Sequence, residues 1–382
     1  MQKSRVAVVQ CSSYDGEQVF AALREGVDLL GGVKSFAAPG ETLLLKPNVL
    51  AGDLAEKGVC THPAVLKAAA RLFSPVIGRT GRVSYGDSSI GGRPRDNLEA
   101  CGIAAAAREL GLEAADFEQG RSVAFPASPH QKSFQLAAGA LAADGIINLC
   151  KLKTHTLTRM TGAVKNLYGC IPGKLKTALH VVYPVPREFC RMLVALNLYL
   201  GPRVRLHVMD GIMAMEGNGP RGGSTRRMGV LLFSTDPVAL DAVMCRLVEL
   251  NPLYMASARP GRAWGLGTYK PEEIELAGDS VERLRNGDFR VSRGPELGLS
   301  QAGMMSYISN AIGKRPVIDP SKCTRCGQCV QACPVRPKAV DWHDGNRKRP
   351  PSYKYLRCIR CYCCQEICPE GAISVKSTLL AL

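Results

Sequence analysis

Long apolar runs are missing from this chain of 382 residues. No stretch approaches the ~18 apolar residues of a membrane-crossing helix, although 46% of the residues are hydrophobic, enough for a sizeable core. Aromatic residues are scarce at 6% and no RNA- or DNA-reading motif is present, so nucleic acid is not the expected partner. The N-terminal residues place Lys3 and Arg5 before a strand-length apolar run, with Asp15 and Glu17 soon after, which matches neither a signal peptide nor a twin-arginine leader. Acid is also in short supply: 49 Lys and Arg face 33 Asp and Glu, a formal +16. That balance suits an anionic substrate or an acidic protein partner.

What the chain has in excess is cysteine, 16 in all. Near the C-terminus Cys323-Thr-Arg-Cys326-Gly-Gln-Cys329-Val-Gln-Ala-Cys333-Pro334 is followed by Cys358-Ile-Arg-Cys361-Tyr-Cys363-Cys364-Gln-Glu-Ile-Cys368-Pro369. Both fit C-x2-C-x2-C-x3-C-P, the run that holds cubane iron–sulfur clusters in two-cluster bacterial ferredoxins, where the fourth cysteine ligates the other cluster. The expected ligand sets are therefore Cys323, Cys326, Cys329 and Cys368 for one [4Fe-4S] cluster, and Cys358, Cys361, Cys364 and Cys333 for a second. One constant offset carries each ligand of the first run onto the second and leaves Cys363 outside, a bystander. Structural zinc or disulfides fit less well, because a four-cysteine zinc site uses two C-x2-C pairs. The other thiols are scattered, which indicates a reducing compartment, and a cytoplasmic location is expected.

The chain is too long for a ferredoxin alone. Upstream, short apolar runs alternate with helical patterns: strands over 6–9, 42–45, 82–85, 145–149, 203–209 and 228–233, helices over 18–30, 63–73 and 97–110, and one from Pro237 to about 250. This rhythm predicts an α/β fold with a mostly parallel sheet and helices on both faces. The expected division is 1–313 for that part and 314–378 for a small ferredoxin-like α+β iron–sulfur domain.

Ligands of open α/β sheets bind beyond the carboxyl ends of the strands. Four of those ends carry polar groups: Lys46 and Asn48; Asp87, Ser88 and Ser89; Lys151, Lys153 and His155; and Asp210, with Glu216 in the following loop. Positions 151, 153 and 155 share a period of two, so an extended chain presents all three on one face. Each group alone has a plainer reading: lysines are commonly solvated, Asp87-Ser88-Ser89 is ordinary turn chemistry, Asp236 caps a helix, and a histidine can be structural. Together they predict a cleft for a negatively charged substrate and for proton transfer. Lys151, Lys153, His155, Lys165 and Glu216 are the catalytic candidates, and Lys46, Asn48, Asp87, Ser88, Asn166 and Asp210 the substrate-binding ones. Gly217-Asn218-Gly219-Pro220-Arg221-Gly222 matches G-x-G-x-x-G literally, but Pro220 interrupts it and a strand follows it, so no dinucleotide site is expected there. It remains a candidate anion-binding loop carrying Glu216 and Arg221 into the cleft.

Lys46-Pro47-Asn48, Gly86-Asp87-Ser88-Ser89, Lys151-Leu152-Lys153-Thr154-His155, Thr161-Gly162-Ala163-Val164-Lys165-Asn166, Asp210-Gly211-Ile212 with Glu216-Gly217-Asn218-Gly219-Pro220, and Asp236-Pro237-Val238-Ala239-Leu240-Asp241 together resemble the family called domain of unknown function 362. The resemblance spans roughly 4–300, and its members often carry a ferredoxin-type 4Fe-4S module. It implies that these motifs belong together and names no substrate.

The expected function is a ferredoxin-linked oxidoreductase acting on an anionic small molecule, with an acidic ferredoxin or flavodoxin as electron partner. Arg347, Lys348 and Arg349, between the cysteine runs, form either a solvated loop or that partner's docking site. Two alternatives stand beside it: a non-catalytic electron carrier or assembly factor, and a non-redox enzyme with structural clusters.

Overall fold

A computed structural model describes residues 3–294 and 313–377. The expected boundary at 313/314 adjoins 295–312, which lies outside the described residues. The chain opens with β1 (Ser4–Gln10), then β2 (Thr42–Lys46), β3 (Arg82–Tyr85) and β4 (Glu113–Ala114). A hairpin follows, β5 (Gly120–Ala124) with β6 (Ser133–Ala137), then β7 (Gly145–His155), β8 (Arg159–Thr161), β9 (Val204–Glu216), β10 (Ser224–Ser234) and β11 (Ile274–Gly278). The main sheet has the order β11-β1-β10-β9-β7-β2-β3-β4, with β8 folded back on β7. Pairing is parallel except where β10 meets β1 and β9 and where β8 meets β7.

Side-chain alternation along each strand divides the core between the two faces. Ala7, Val9, Leu43, Leu45, Ile147 and Leu149 pack with the helices Gly16–Asp28 and Pro63–Ile77. Val6 and Val8 face the opposite way onto the helix Pro237–Leu247, while Leu44 and Ile146 face the helix Pro186–Leu200. The mostly parallel α/β sheet with helices on both faces is thus present.

Details differ from the expected elements. The helix expected over 97–110 is two, Pro94–Ala100 and Ile103–Glu109, separated at Gly102, whose φ of 79° no helix tolerates. The strand expected over 145–149 runs on to His155, so the 151–155 motif is strand and not loop. The strand expected over 228–233 is longer and antiparallel, because the glycine-rich segment 217–223 turns the chain straight back from β9. The helix Pro186–Leu200 and the β5–β6 hairpin are additional to the expected set.

The C-terminal part is small. β12 (Lys314–Ile318) pairs with β15 (Ile373–Ser377), and β13 (Val340–Asp341) with β14 (Ser352–Tyr353). Each cysteine run ends in a five-residue helix, Gln328–Ala332 and Cys363–Ile367. No helix among the described residues is long and apolar enough to cross a membrane.

Candidate functional site

β9, β7, β2 and β3 lie side by side and parallel, so their carboxyl ends open on one edge of the sheet. Lys46 ends β2 and is fully buried; its Nζ lies 2.9 Å from Oδ1 of Asp87, which follows β3. Asp87 also accepts from Ser88 N (2.9 Å) and Val49 N (2.6 Å), so its charge is fully engaged. A Cβ at position 169 would stand 1.8 Å from Asp87 Oδ1 and 2.5 Å from Lys46 Nζ; only glycine leaves room for this pair. Lys151 and Asp210 are register partners on β7 and β9, and their side chains meet at 2.7 Å. Tyr14 completes the group: its hydroxyl accepts from Lys151 Nζ at 2.8 Å and donates to Asp210 Oδ1 at 2.8 Å. Both lysines are thereby neutralised by buried carboxylates.

Three other amines are not. Lys153 Nζ donates to Val59 O at 2.6 Å, and burial, against the pull of nearby Cys60, brings its pKa down to about 7. Lys176 donates to Ser88 O and is likewise lowered by burial to about 7. Lys165 makes no hydrogen bond or ion pair among the described residues, and burial lowers its pKa as well. All three line one cleft of about 490 Å³, counted out to open solvent, together with Asn48, Asp87, Ser88, Lys151 and Asn166.

Other expected residues stand elsewhere. Lys46, Asp210 and the catalytic candidate His155 are not among the lining residues; Lys46 and Asp210 are the partners of Asp87 and Lys151. Glu216 is not in the cleft. β9 extends as far as this residue, where its carboxylate is gripped by Arg226 (3.0 and 3.1 Å) and by Arg290 N and Nε (2.9 Å each). Burial raises its pKa, but those arginines prevail and hold it low, so it is a structural anion. Arg221 does not reach the cleft either; it binds Asp53 at 2.7 Å and the carbonyl of Ile367. Asp236 caps the helix Pro237–Leu247 by accepting from Val238 N and Ala239 N.

His155 is buried, and its Nδ1 accepts from the amides of Leu157 (3.1 Å) and Thr158 (3.3 Å). That fixes the proton of the neutral ring on Nε2. Nε2 lies 3.1 Å from Oε1 of Glu366, off the line of a regular hydrogen bond. Burial lowers the histidine pKa to about 4. Burial also pushes Glu366 up, yet His155, Lys165 and His180 outweigh it and hold the carboxyl at about 2.

Glu366 belongs to the helix Cys363–Ile367, and that helix docks the cysteine-rich part onto the sheet edge. Gln365 Nε2 donates to Asn218 O, Asn218 Oδ1 and Gly219 O at 3.0–3.1 Å, while its Oε1 accepts from Thr156 at 3.2 Å. Asn218 Nδ2 donates to Ile373 O at 2.9 Å. Gly222 and Gly371 touch backbone to backbone, and a Cβ on either would come within 2.9 Å of the other's Cα. The segment resembling a dinucleotide loop is therefore the hairpin turn between β9 and β10 that seats this part.

Cys323, Cys326, Cys329 and Cys368 line one cavity of about 360 Å³. Cys358 lies within electrostatic reach of Cys361 and Cys333, and Cys364 within reach of Cys361 and Cys358. Cys368, the fourth cysteine of the second run, thus stands with the first three of the first run around a cavity, the crossed arrangement that paired cubane clusters use, and Cys333 lies within reach of Cys358. No three His, Cys, Asp or Glu side chains among the described residues are gathered to hold a single metal ion. Cys363 is fully buried beside Cys361, within reach of Lys165 and Tyr168.

One pH prediction arises here. Burial depresses His155 and His180 to about 4 and His207 to about 3, whereas the unfolded chain titrates them near 6.5. Below that pH the unfolded state takes up protons that the folded state refuses, so stability falls with pH, each histidine contributing up to about 1.4 kcal/mol per pH unit. Asp241, raised by burial to about 7, works in the opposite sense and offsets one of the three. Urea midpoints measured between pH 7 and 4.5 are expected to fall. The slope is expected to be shallower in His180→Phe, which keeps the stack on Phe189 and cannot titrate.

Comparison with known proteins adds the following. A family model described as "Domain of unknown function (DUF362)" matches residues 43–246, and one described as "4Fe-4S dicluster domain" matches 315–369. A thylakoid-associated protein of Synechocystis sp. is 36% identical over 272 residues, covering 71% of this chain and 82% of that protein. NADH-quinone oxidoreductase subunit I 2 of Symbiobacterium thermophilum is 42% identical over 57 residues, 14% of this chain and 24% of that subunit. The solved lactate racemase apoprotein from Thermoanaerobacterium thermosaccharolyticum aligns with a TM-score of 0.42 at 9% identity, covering 65% of this chain and 57% of that one.

Proposed function

We infer the function of this chain, which belongs to the family described as "Domain of unknown function (DUF362)", from its cleft and its 4Fe-4S domain together: it is an oxidoreductase acting on a small anionic molecule. The observation that carries this is the seating of the helix Cys363–Ile367. The helix includes the ligand Cys364, lies between the ligands Cys361 and Cys368, and sets Glu366 against His155, within electrostatic reach of Lys165 of the cleft. Cys323, Cys326, Cys329 and Cys368 would hold one [4Fe-4S] cluster and Cys358, Cys361, Cys364 and Cys333 another; such clusters supply electrons singly and at low potential.

The chain's own residues divide the remaining work. Lys153, Lys165 and Lys176, which no carboxylate neutralises, attract and orient the anion. Lys153, with its pKa brought to about 7, can hold or release a proton near neutrality. Lys151, which also lines the cleft, is held in place by Asp210 and Tyr14. The docked helix keeps bulk water from the His155 side, since both His155 and Glu366 are buried.

Arg347, Lys348 and Arg349 are exposed on the side of the first cysteine run, where Arg325 donates to Lys348 O at 3.0 Å. An acidic ferredoxin or flavodoxin docking there would meet the Cys323 set first and the Cys358 set next, with the cleft beyond. The free thiols suit a reducing cytoplasm.

The test is reoxidation of the anaerobic, dithionite-reduced holoprotein by fractionated anionic metabolites, followed by the visible absorbance of the clusters. At least one fraction is expected to restore it. Lys165→Ala is expected to weaken that response about 30-fold or more, the scale of removing one charge from a desolvated contact. If no fraction reoxidises the protein, the reading is overturned.

A further inference from the structure

Buried polar atoms in a native fold nearly always find hydrogen-bond partners. Where the cysteine-rich part meets the cleft, several do not. Both carboxylate oxygens of Glu366, Nε2 of His155, Nδ1 of His180, and the amide oxygens of Asn48 and Asn166 are buried without a hydrogen bond. Glu366, His155, His180 and Asn166 are each more than nine-tenths buried. Glu366 is within electrostatic reach of His155, Lys165 and His180; Lys165 lines the cleft with Asn48 and Asn166. The unsatisfied groups therefore belong to one neighbourhood.

The direction of the Asn166 amide is fixed by a relay. Asn148 Nδ2 donates to His207 Nδ1 at 2.8 Å and to Ala163 O at 3.1 Å, so Asn148 Oδ1 is the acceptor end. Asn166 Nδ2 donates to that oxygen at 2.7 Å. Its own oxygen is left over as an acceptor at the cleft. The cleft thus offers two kinds of recognition: cationic donors in Lys153 and Lys165, and acceptors in Asn48 and Asn166. A bare carboxylate or phosphate satisfies the first kind and leaves the second unpaired, and a buried acceptor left without a donor weakens binding.

Resting on the anion reading above, we propose that the cleft is specific for a small anion that also carries a hydrogen-bond donor, a hydroxyl or an amine. Lys153 and Lys165 take the anionic group, and the unpaired amide oxygens of Asn48 and Asn166 take the donor.

The test is calorimetric binding to the anaerobic holoprotein of matched anions: succinate against malate and aspartate, and inorganic phosphate against glycerol phosphate. In at least one pair the donor-bearing member is expected to bind tenfold or more tightly than its partner. Asn48→Leu and Asn166→Leu, which remove the two amide acceptors, are expected to close that gap without weakening the donor-free anion, while an unchanged cluster spectrum shows the cysteine-rich part intact. Equal binding within every pair overturns the proposal, as does a gap that survives both substitutions. Lys165→Ala separates the two levels: if anions bind this variant as they bind the parent, or bind neither, the underlying anion reading falls.

Discussion

Replacing Cys368 with alanine is expected to remove the cluster of the first cysteine run, although Cys368 stands in the second. The cavity lined by Cys323, Cys326, Cys329 and Cys368 is the reason. Two loaded [4Fe-4S] sites correspond to about eight irons per chain, so the single variant should retain about four. Double variants locate the loss without any need to tell the clusters apart. Cys368→Ala with Cys329→Ala strikes one ligand set twice and should still retain about four irons. Cys368→Ala with Cys364→Ala strikes both sets and should retain almost none. Iron and sulfide analysis of anaerobically purified protein decides it. If the first double variant were the empty one and the second kept half its iron, each run would be holding its own cluster.

The second large effect is expected at the Lys151–Asp210 pair. Both side chains are wholly buried and meet at 2.7 Å, and Asp210 also accepts from Tyr14 and from His62 N at 3.0 Å. Asp210→Ala leaves the Lys151 ammonium buried with Tyr14 as its remaining partner. Breaking a buried pair from one side typically costs about 3–5 kcal/mol. Lys151→Met with Asp210→Leu removes both charges, so the double variant should be clearly more stable than the sum of its single variants implies. Urea unfolding under anaerobic conditions measures this. A double variant no better than additive would show that the two charges do not depend on one another.

Much of this architecture is local and hence legible in the chain. The constant offset between the cysteine runs, the period of two at 151, 153 and 155, and the polar residues after each strand are short-range signals. The parallel order β9-β7-β2-β3 gathers those strand ends as the βαβ rhythm implies. Non-local facts were out of reach. Nothing in the lysine positions shows that Lys46 and Lys151 meet buried carboxylates while Lys153, Lys165 and Lys176 do not, because the partners come from other strands. Glu216 looked like a loop residue since hydropathy fades near Met209, yet β9 continues through it to a pair of arginines that no periodicity connects. Glu366 lies between two cysteine ligands, where the iron–sulfur motif absorbs all attention, and its meeting with His155 depends on how two separately patterned parts dock. The turn at 217–222 was readable as unfit for a dinucleotide, since Pro220 interrupts it and a strand follows; its role as a seat was not.

The interior of the cysteine-rich part has a further consequence. Its small core consists of Cys329, Cys333, Cys364 and Cys368 with Val330, Ala339, Val340, Ala372 and Ile373. A core so short of hydrocarbon leans on metal ligation for its cohesion, as small metal-bound domains do. The same part supplies the helix Cys363–Ile367, which seats Gln365 on the 217–222 turn and Glu366 against His155. Iron loading is therefore expected to do more than fill the cysteine sites: a chain not yet matured with iron would leave His155 and the 217–222 turn without the helix seated on them.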